Sequence, residues 1–122
     1  MNTILWILQS FIAAIFLYSG VQKTIYTEQK LVARGQTGVE GLQPGLIRFI
    51  GVSEILGTIG IILPLLLHIL PVLTVISAIG FAVIMVPAAI IHYKRHEPKN
   101  VFTNCVLFVI CAFIVYGRAF LL

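Results

Sequence analysis

Glu54 is a carboxylate embedded in an apolar run, with Gly51, Val52 and Ser53 before it and Ile55, Leu56 and Gly57 after it. Near the centre of a bilayer, an ionised side chain costs a few kcal/mol even on the most lenient insertion scales. Glu54 must therefore be protonated, paired with a cation, or open to a water-filled cavity, and each state is a different chemistry. A protonated acid donates a hydrogen bond, an ion pair orients a polar ligand, and a hydrated carboxylate takes up protons. The residues whose types suit it as partners are Lys23, Arg48 and His92, with the Asn104 amide as a further hydrogen-bonding group.

Other reactive constellations are missing from the chain. It has no Ser-His-Asp arrangement, no HExxH pattern and no phosphate-cradling glycine loop. One carboxylate and one histidine at membrane depth fall short of the three or four ligands of a metal site, so no metal is expected. Haem is disfavoured too, because no second histidine at membrane depth pairs with His92. Cys105 and Cys111 match neither a CxxC nor a zinc spacing. Six residues along a helix separate them by about 120°, so both are expected as thiols packed among apolar side chains.

The elements that hold Glu54 follow from composition. The chain has 122 residues, of which 60% are hydrophobic and 10% charged, against roughly 45–50% and 25% in soluble domains. Mean hydropathy is +1.09. This is an integral membrane protein of one domain, 1–122. Apolar runs at 4–21, 46–63, 69–91 and 101–121 each approach the ~20 residues of a spanning helix. Lipid leaves no partner for open backbone groups, so these runs form helices. The expected fold is all-α: an antiparallel four-helix bundle with short up-and-down links. The first run lacks the basic leader of a secretory signal and is read as a retained helix.

Between the first two runs, Thr27 is placed to cap a short helix that stops at Gly35. Residues 35–45 are rich in turn formers, and Pro44 suits the start of the second spanning helix. Pro64 is expected to end that helix, Pro71 to open the third, and Pro87 to kink it. Lys23, Lys30, Arg34 and Arg48 gather around the first loop, and Lys94, Arg95 and Lys99 around the third. The positive-inside rule then puts both loops in the cytoplasm and both termini outside, with Arg118 dissenting. The net charge of +4 is explained by this topogenic role beside anionic lipid, with no need for a nucleic-acid partner.

Projection at about 100° per residue gathers the polar groups of each helix on one stripe. The stripes are Gln9, Ala13, Phe16, Gly20 and Lys23; Gly51, Glu54 and Thr58 with Arg48 on the shoulder; Thr74, Ala78, Phe81, Met85, Ala88 and His92; and Asn104, Phe108, Cys111, Val115 and Arg118. By helical rise, Lys23, Arg48, His92 and Asn104 share a shallow layer, and Glu54 lies about 9 Å deeper than Arg48. A polar pocket is expected, open to the cytoplasm, with Glu54 at its floor and Lys23, Arg48 and His92 at its mouth. Blander roles stay open for each: headgroup anchors for Lys23 and Arg48, an interfacial histidine for His92, and a helix-gluing acid for Glu54.

Four segments carry a family resemblance. They are Phe16-Leu17-Tyr18-Ser19-Gly20-Val21-Gln22-Lys23, the run from Leu46 through Arg48, Gly51 and Glu54 to Gly57, the loop from His92 to Asn100, and Val115-Tyr116-Gly117-Arg118. In this order and spacing, the chain resembles the DoxX-like family of small four-helix membrane proteins. The resemblance implies a site at Gly20, Lys23 and Glu54, and an association with membrane redox systems such as a quinol oxidase. The chain itself carries no haem or flavin signature, which argues against autonomous redox catalysis. The leading expectation is an accessory or ligand-binding component of a membrane redox system, with a quinone as ligand, a membrane oxidoreductase as partner, and Gly20, Lys23, Arg48, Glu54, His92 and Asn104 as the site. A small proton-coupled carrier and a purely structural assembly factor are the alternatives, and a homo-oligomer stays open.

Overall fold

A computed structural model of the protein describes residues 2–120. Four long helices dominate: α1 (Asn2–Ile25), α3 (Pro44–Leu66), α4 (Val72–Lys94) and α5 (Pro98–Phe120). Each is long and apolar enough to cross a membrane, and they form an antiparallel bundle. A short helix α2 (Glu28–Ala33) and a 3-10 turn (Thr37–Val39) lie in the connection between α1 and α3. Helix α1 packs against α3 and α5, and α4 against α3 and α5. The outward faces carry exposed Ile7, Leu56, Val83, Phe102 and Val109, the apolar coat that lipid requires.

Each long helix starts or ends two to four residues from the limit of its apolar run. Polar flanking residues such as Gln22 and Lys94 continue the helical hydrogen bonding beyond the hydrocarbon layer. Thr27 caps α2 by accepting from the Lys30 amide at 3.2 Å, and Gly35 follows it in the left-handed region at φ 99°. Pro44 occupies the first turn of α3, and α4 runs continuously through Pro87. Pro64 does not end α3, which continues to Leu66. Proline at 64 removes the donor that would serve the carbonyl of Gly60. The Thr74 hydroxyl of α4 donates to that carbonyl at 3.3 Å instead, so the neighbouring helix supplies the missing bond.

Two corrections concern α5. Leu107 faces the core in place of Phe108, which is exposed, and Ile114 is buried there beside a half-buried Val115. The two pairs straddle one stripe, and the position of α4 and α1 decides which shoulder turns inward. Cys111 is buried as expected, whereas Cys105 faces outward.

The bundle is closed at one end and holds a cavity at the other. At the end carrying Asn2 and Phe120, Gln9 donates to the Ile61 carbonyl at 2.7 Å and accepts from Arg118 Nε at 2.6 Å. Arg118 also donates to Asn2 at 2.6 Å and lies over the Trp6 ring. Midway, Phe16 and Phe81 stack with centroids 4.0 Å apart within a core that includes Ile12, Ile61, Ala78 and Cys111. At the opposite end, which carries the 26–43 connection, α1 stays with α3. Gly20 and Gly51 allow this: a Cβ on Gly20 would lie 2.8 Å from the Gly51 carbonyl oxygen, and one on Gly51 would lie 2.8 Å from Lys23 Cβ. Backbones this close need small residues at the crossing.

The contrast between glycines is testable. Gly80 has open space around a virtual Cβ, so Gly80→Ala should stabilise the protein by roughly 0.5–1 kcal/mol through helix propensity. Gly20→Ala should destabilise it by about 1–3 kcal/mol through overpacking. The thermal midpoints of both variants in detergent check the opposite signs.

Candidate functional site

The Gly20–Gly51 crossing sets α1 and α3 so that Lys23 and Glu54 meet. Lys23 Nζ lies 2.8 Å from Glu54 Oε1, and Glu54 is almost wholly buried. Lys23 also donates to Ser19 Oγ at 2.8 Å, and Ser19 lies 3.3 Å from the same carboxylate oxygen. The carboxylate is therefore held by a cation and a hydroxyl that are one helical turn apart on α1. Of the states that the cost of insertion permits, pairing is the one adopted. Gln36 approaches Ser19 at 3.5 Å and donates to Gln22 at 3.0 Å, extending the polar wall into the α1–α3 connection.

This wall borders a cavity of about 690 Å³ between the helices. Lys23, Glu54, His92 and Asn104 all line it, together with a mostly apolar surface that includes Ile50, Ile84 and Leu107. Asn104 is buried to 9% exposure, and its Nδ2 has no partner in the protein. A buried amide N–H without a partner costs about 1–3 kcal/mol. A ligand that accepts a hydrogen bond there would recover it.

Two of the expected site residues lie elsewhere. Arg48, expected at the mouth, does not line the cavity; its Nη1 donates to the carbonyls of Lys23 and Tyr26. The last carbonyls of a helix lack intrahelical donors and attract cations, so Arg48 caps α1 and fixes the backbone beneath Lys23. Gly20 acts at the helix crossing described above and does not line the cavity. Ser19, Gln22, Gln36 and Ser53 line it without having been expected. Ser19 was legible, since it sits four residues before Lys23. Nothing in the sequence places Gln36, whose position depends on how the connection folds back.

The expected open mouth is also altered. Residues 34–42 lie across that end and line the cavity through Arg34, Gly35, Gln36, Gly38, Val39 and Leu42. Leu31, Val39 and Ile47 form a small buried cluster beneath this segment. Its tip is tied to the α4–α5 turn: Glu97 Oε1 accepts from Thr37 at 3.0 Å and lies 2.7 Å from His92 Nδ1. Arg95 lies 3.2 Å from Glu40 and 3.5 Å from Glu97. The hydrogen bonds from His92 and then Thr37 hold the Glu97 carboxyl below its ordinary range, helped by Arg95 and Asn100 and opposed by partial burial. Chemically, the arrangement offers an ion pair, a free amide donor and an apolar chamber. Two of its lining side chains are a carboxylate and an imidazole, and among the described residues no group of three metal-binding side chains forms.

The DoxX-like family model matches residues 7–114. The chain belongs to the DoxX-like family. That match spans all four long helices and takes in Gly20, Lys23, Arg48, Glu54, His92 and Asn104. No curated protein and no solved structure matches the chain. The DoxX-like chain is thus a small multi-pass membrane protein, in contact with lipid along four helices.

The Glu97 tether has a defined pH response. A carboxyl whose folded pKa is depressed contributes stability above its unfolded pKa and loses it as pH falls through the folded one. Residues 36–40 should therefore stay protected at neutral pH and loosen only below the ordinary carboxylate value of 4.5. Glu97→Gln should loosen them across the whole range. Hydrogen exchange of this segment, corrected for its intrinsic pH dependence, reads both effects.

Proposed function

We propose that this protein is a ligand-binding accessory component of a membrane redox system, without catalytic activity of its own. The observation that carries the reading is the Lys23–Glu54 ion pair set into the wall of a roomy cavity whose Asn104 amide lacks a partner. A pair of opposite charges at a fixed distance presents both a hydrogen-bond donor and an acceptor. Ligand sites combine an apolar chamber with a few such groups. A quinone fits this chemistry, because its carbonyls accept from Asn104 and Lys23, and its reduced form donates to Glu54. The family's link to quinol oxidation favours the same ligand, with a membrane oxidoreductase as the partner that reduces or oxidises it.

The basic residues Lys23, Lys30, Arg34, Arg48, Lys94, Arg95 and Lys99 cluster at the cavity's end of the bundle. By the positive-inside rule this end faces the cytoplasm, both termini face outward, and the membrane is the cytoplasmic one. A proton-coupled carrier would need a polar path to the other side. The Phe16–Phe81 stack and the Gln9–Arg118 cluster close that route in this conformation, which counts against it. An assembly factor would tolerate the loss of the ion pair's charge, and this separates it from the ligand-binding reading.

The test is equilibrium binding of a short-tailed quinone to the purified full chain. Glu54→Gln and Asn104→Leu should each weaken binding by about 10–100-fold, the value of a hydrogen bond to a charged or buried group. Equal affinity in the wild type and both variants, or no binding by the wild type, would overturn the proposal.

A further inference from the structure

Two seams run along the cavity, one between α3 and α4 and one between α1 and α5. In each seam, residues from both helices line the cavity and are also exposed. Phe49 and Pro87 do so in the first, Tyr18 and Thr103 in the second. Phe49 is 69% and Tyr18 60% exposed. A side chain that borders both the interior and the surroundings marks an opening. These residues lie on spanning helices, so the openings face the bilayer.

The two ends of the bundle are both built over. The terminal end is filled by the Gln9–Arg118–Asn2 contacts and the stacked phenylalanines. Residues 34–42 cross the opposite end, tethered through Thr37–Glu97 and Arg95–Glu40, although Arg34 and Gly35 line the cavity and are exposed there as well. Access through the sides then needs no rearrangement of either end.

We propose that the cavity takes its ligand sideways from the bilayer, and that the ligand is an amphiphile with an uncharged, hydrogen-bonding head. This rests on the ligand-binding reading given above and adds the route and the class. The head is uncharged because Lys23 and Glu54 neutralise each other at 2.8 Å; a charged head would be buried beside them without a counter-ion of its own, at a large desolvation cost. It carries an acceptor because the Asn104 amide is an unpartnered donor. The tail is apolar. It lies out through a seam among apolar side chains such as Ile50 and Ile84, where the lipid phase continues the cavity's apolar lining.

The experiment places the full chain in phospholipid vesicles with one of two photoreactive probes. One is a long-chain fatty alcohol bearing a diazirine, confined to the bilayer. The other is a short, water-soluble alcohol bearing the same group. After photolysis, peptide mass spectrometry compares labelling at Ser53, which lines the cavity, with labelling at lipid-facing Val83 and Val109. The long alcohol is expected to label Ser53, and the double variant Pro87→Trp/Thr103→Trp, which fills both seams, is expected to cut that labelling several-fold while Val83 and Val109 keep theirs. Circular dichroism confirms that the variant is folded. If it is not, each single variant is expected to lower Ser53 labelling in part.

Labelling of Ser53 by the short alcohol alone would overturn sideways access and leave the ligand cavity standing. So would long-alcohol labelling that survives filled seams. Labelling by neither probe would overturn both this inference and the ligand-binding reading.

Discussion

The Lys23–Glu54 pair is the constraint around which the structure is arranged. A carboxylate at this depth is tolerable only with a partner, and the partner must come from another helix, because the apolar run around Glu54 offers none. Lysine reaches it because Gly20 and Gly51 bring two backbones into contact and because Arg48 ties off the end of α1 beneath Lys23. Ser19 takes up a further part of the coordination. The pair in turn commits α1 to α3. At the end where it lies, the cavity occupies the space between the α1–α3 pair and the α4–α5 pair.

This gives the bundle a division of labour along its length. The terminal end is built for closure, with aromatic stacking and a buried arginine that satisfies Gln9 and Asn2. The other end is built around an opening, spanned by a connection held to the α4–α5 turn through Glu97. Membrane helices gain little from apolar contact with one another, since lipid is equally apolar. Polar bonds and close glycine contacts therefore decide where helices meet, and in this protein they are concentrated away from the space between the pairs.

Much of this was legible in the sequence. Length and hydropathy alone imply four spanning helices, and the stripes of α1, α3 and α4 face inward as the helical projection expects. Lys23, Glu54, His92 and Asn104 border one cavity, because depth and face can both be counted along a helix. What was not legible depends on the neighbours. Pro64 reads as a helix end until Thr74 supplies the bond it removes. Phe108 and Leu107 are equivalent until α5 is docked. Arg48 reads as a pocket cation until the carbonyls at the end of α1 are placed within its reach. The fold of residues 34–42 over the cavity depends on a cluster of Leu31, Val39 and Ile47 that no periodicity announces.

The central claim is that the space beside the Lys23–Glu54 pair is a ligand site and not a packing defect. An experimental structure of the protein in nanodiscs, purified with its native lipids, tests it most directly. Elongated non-protein density is expected in the cavity, with its polar end within hydrogen-bonding distance of Asn104 and of the Lys23–Glu54 pair. A collapsed interior, with α4 and α5 packed against α1 and α3 and the Asn104 amide bonded to protein, would contradict it.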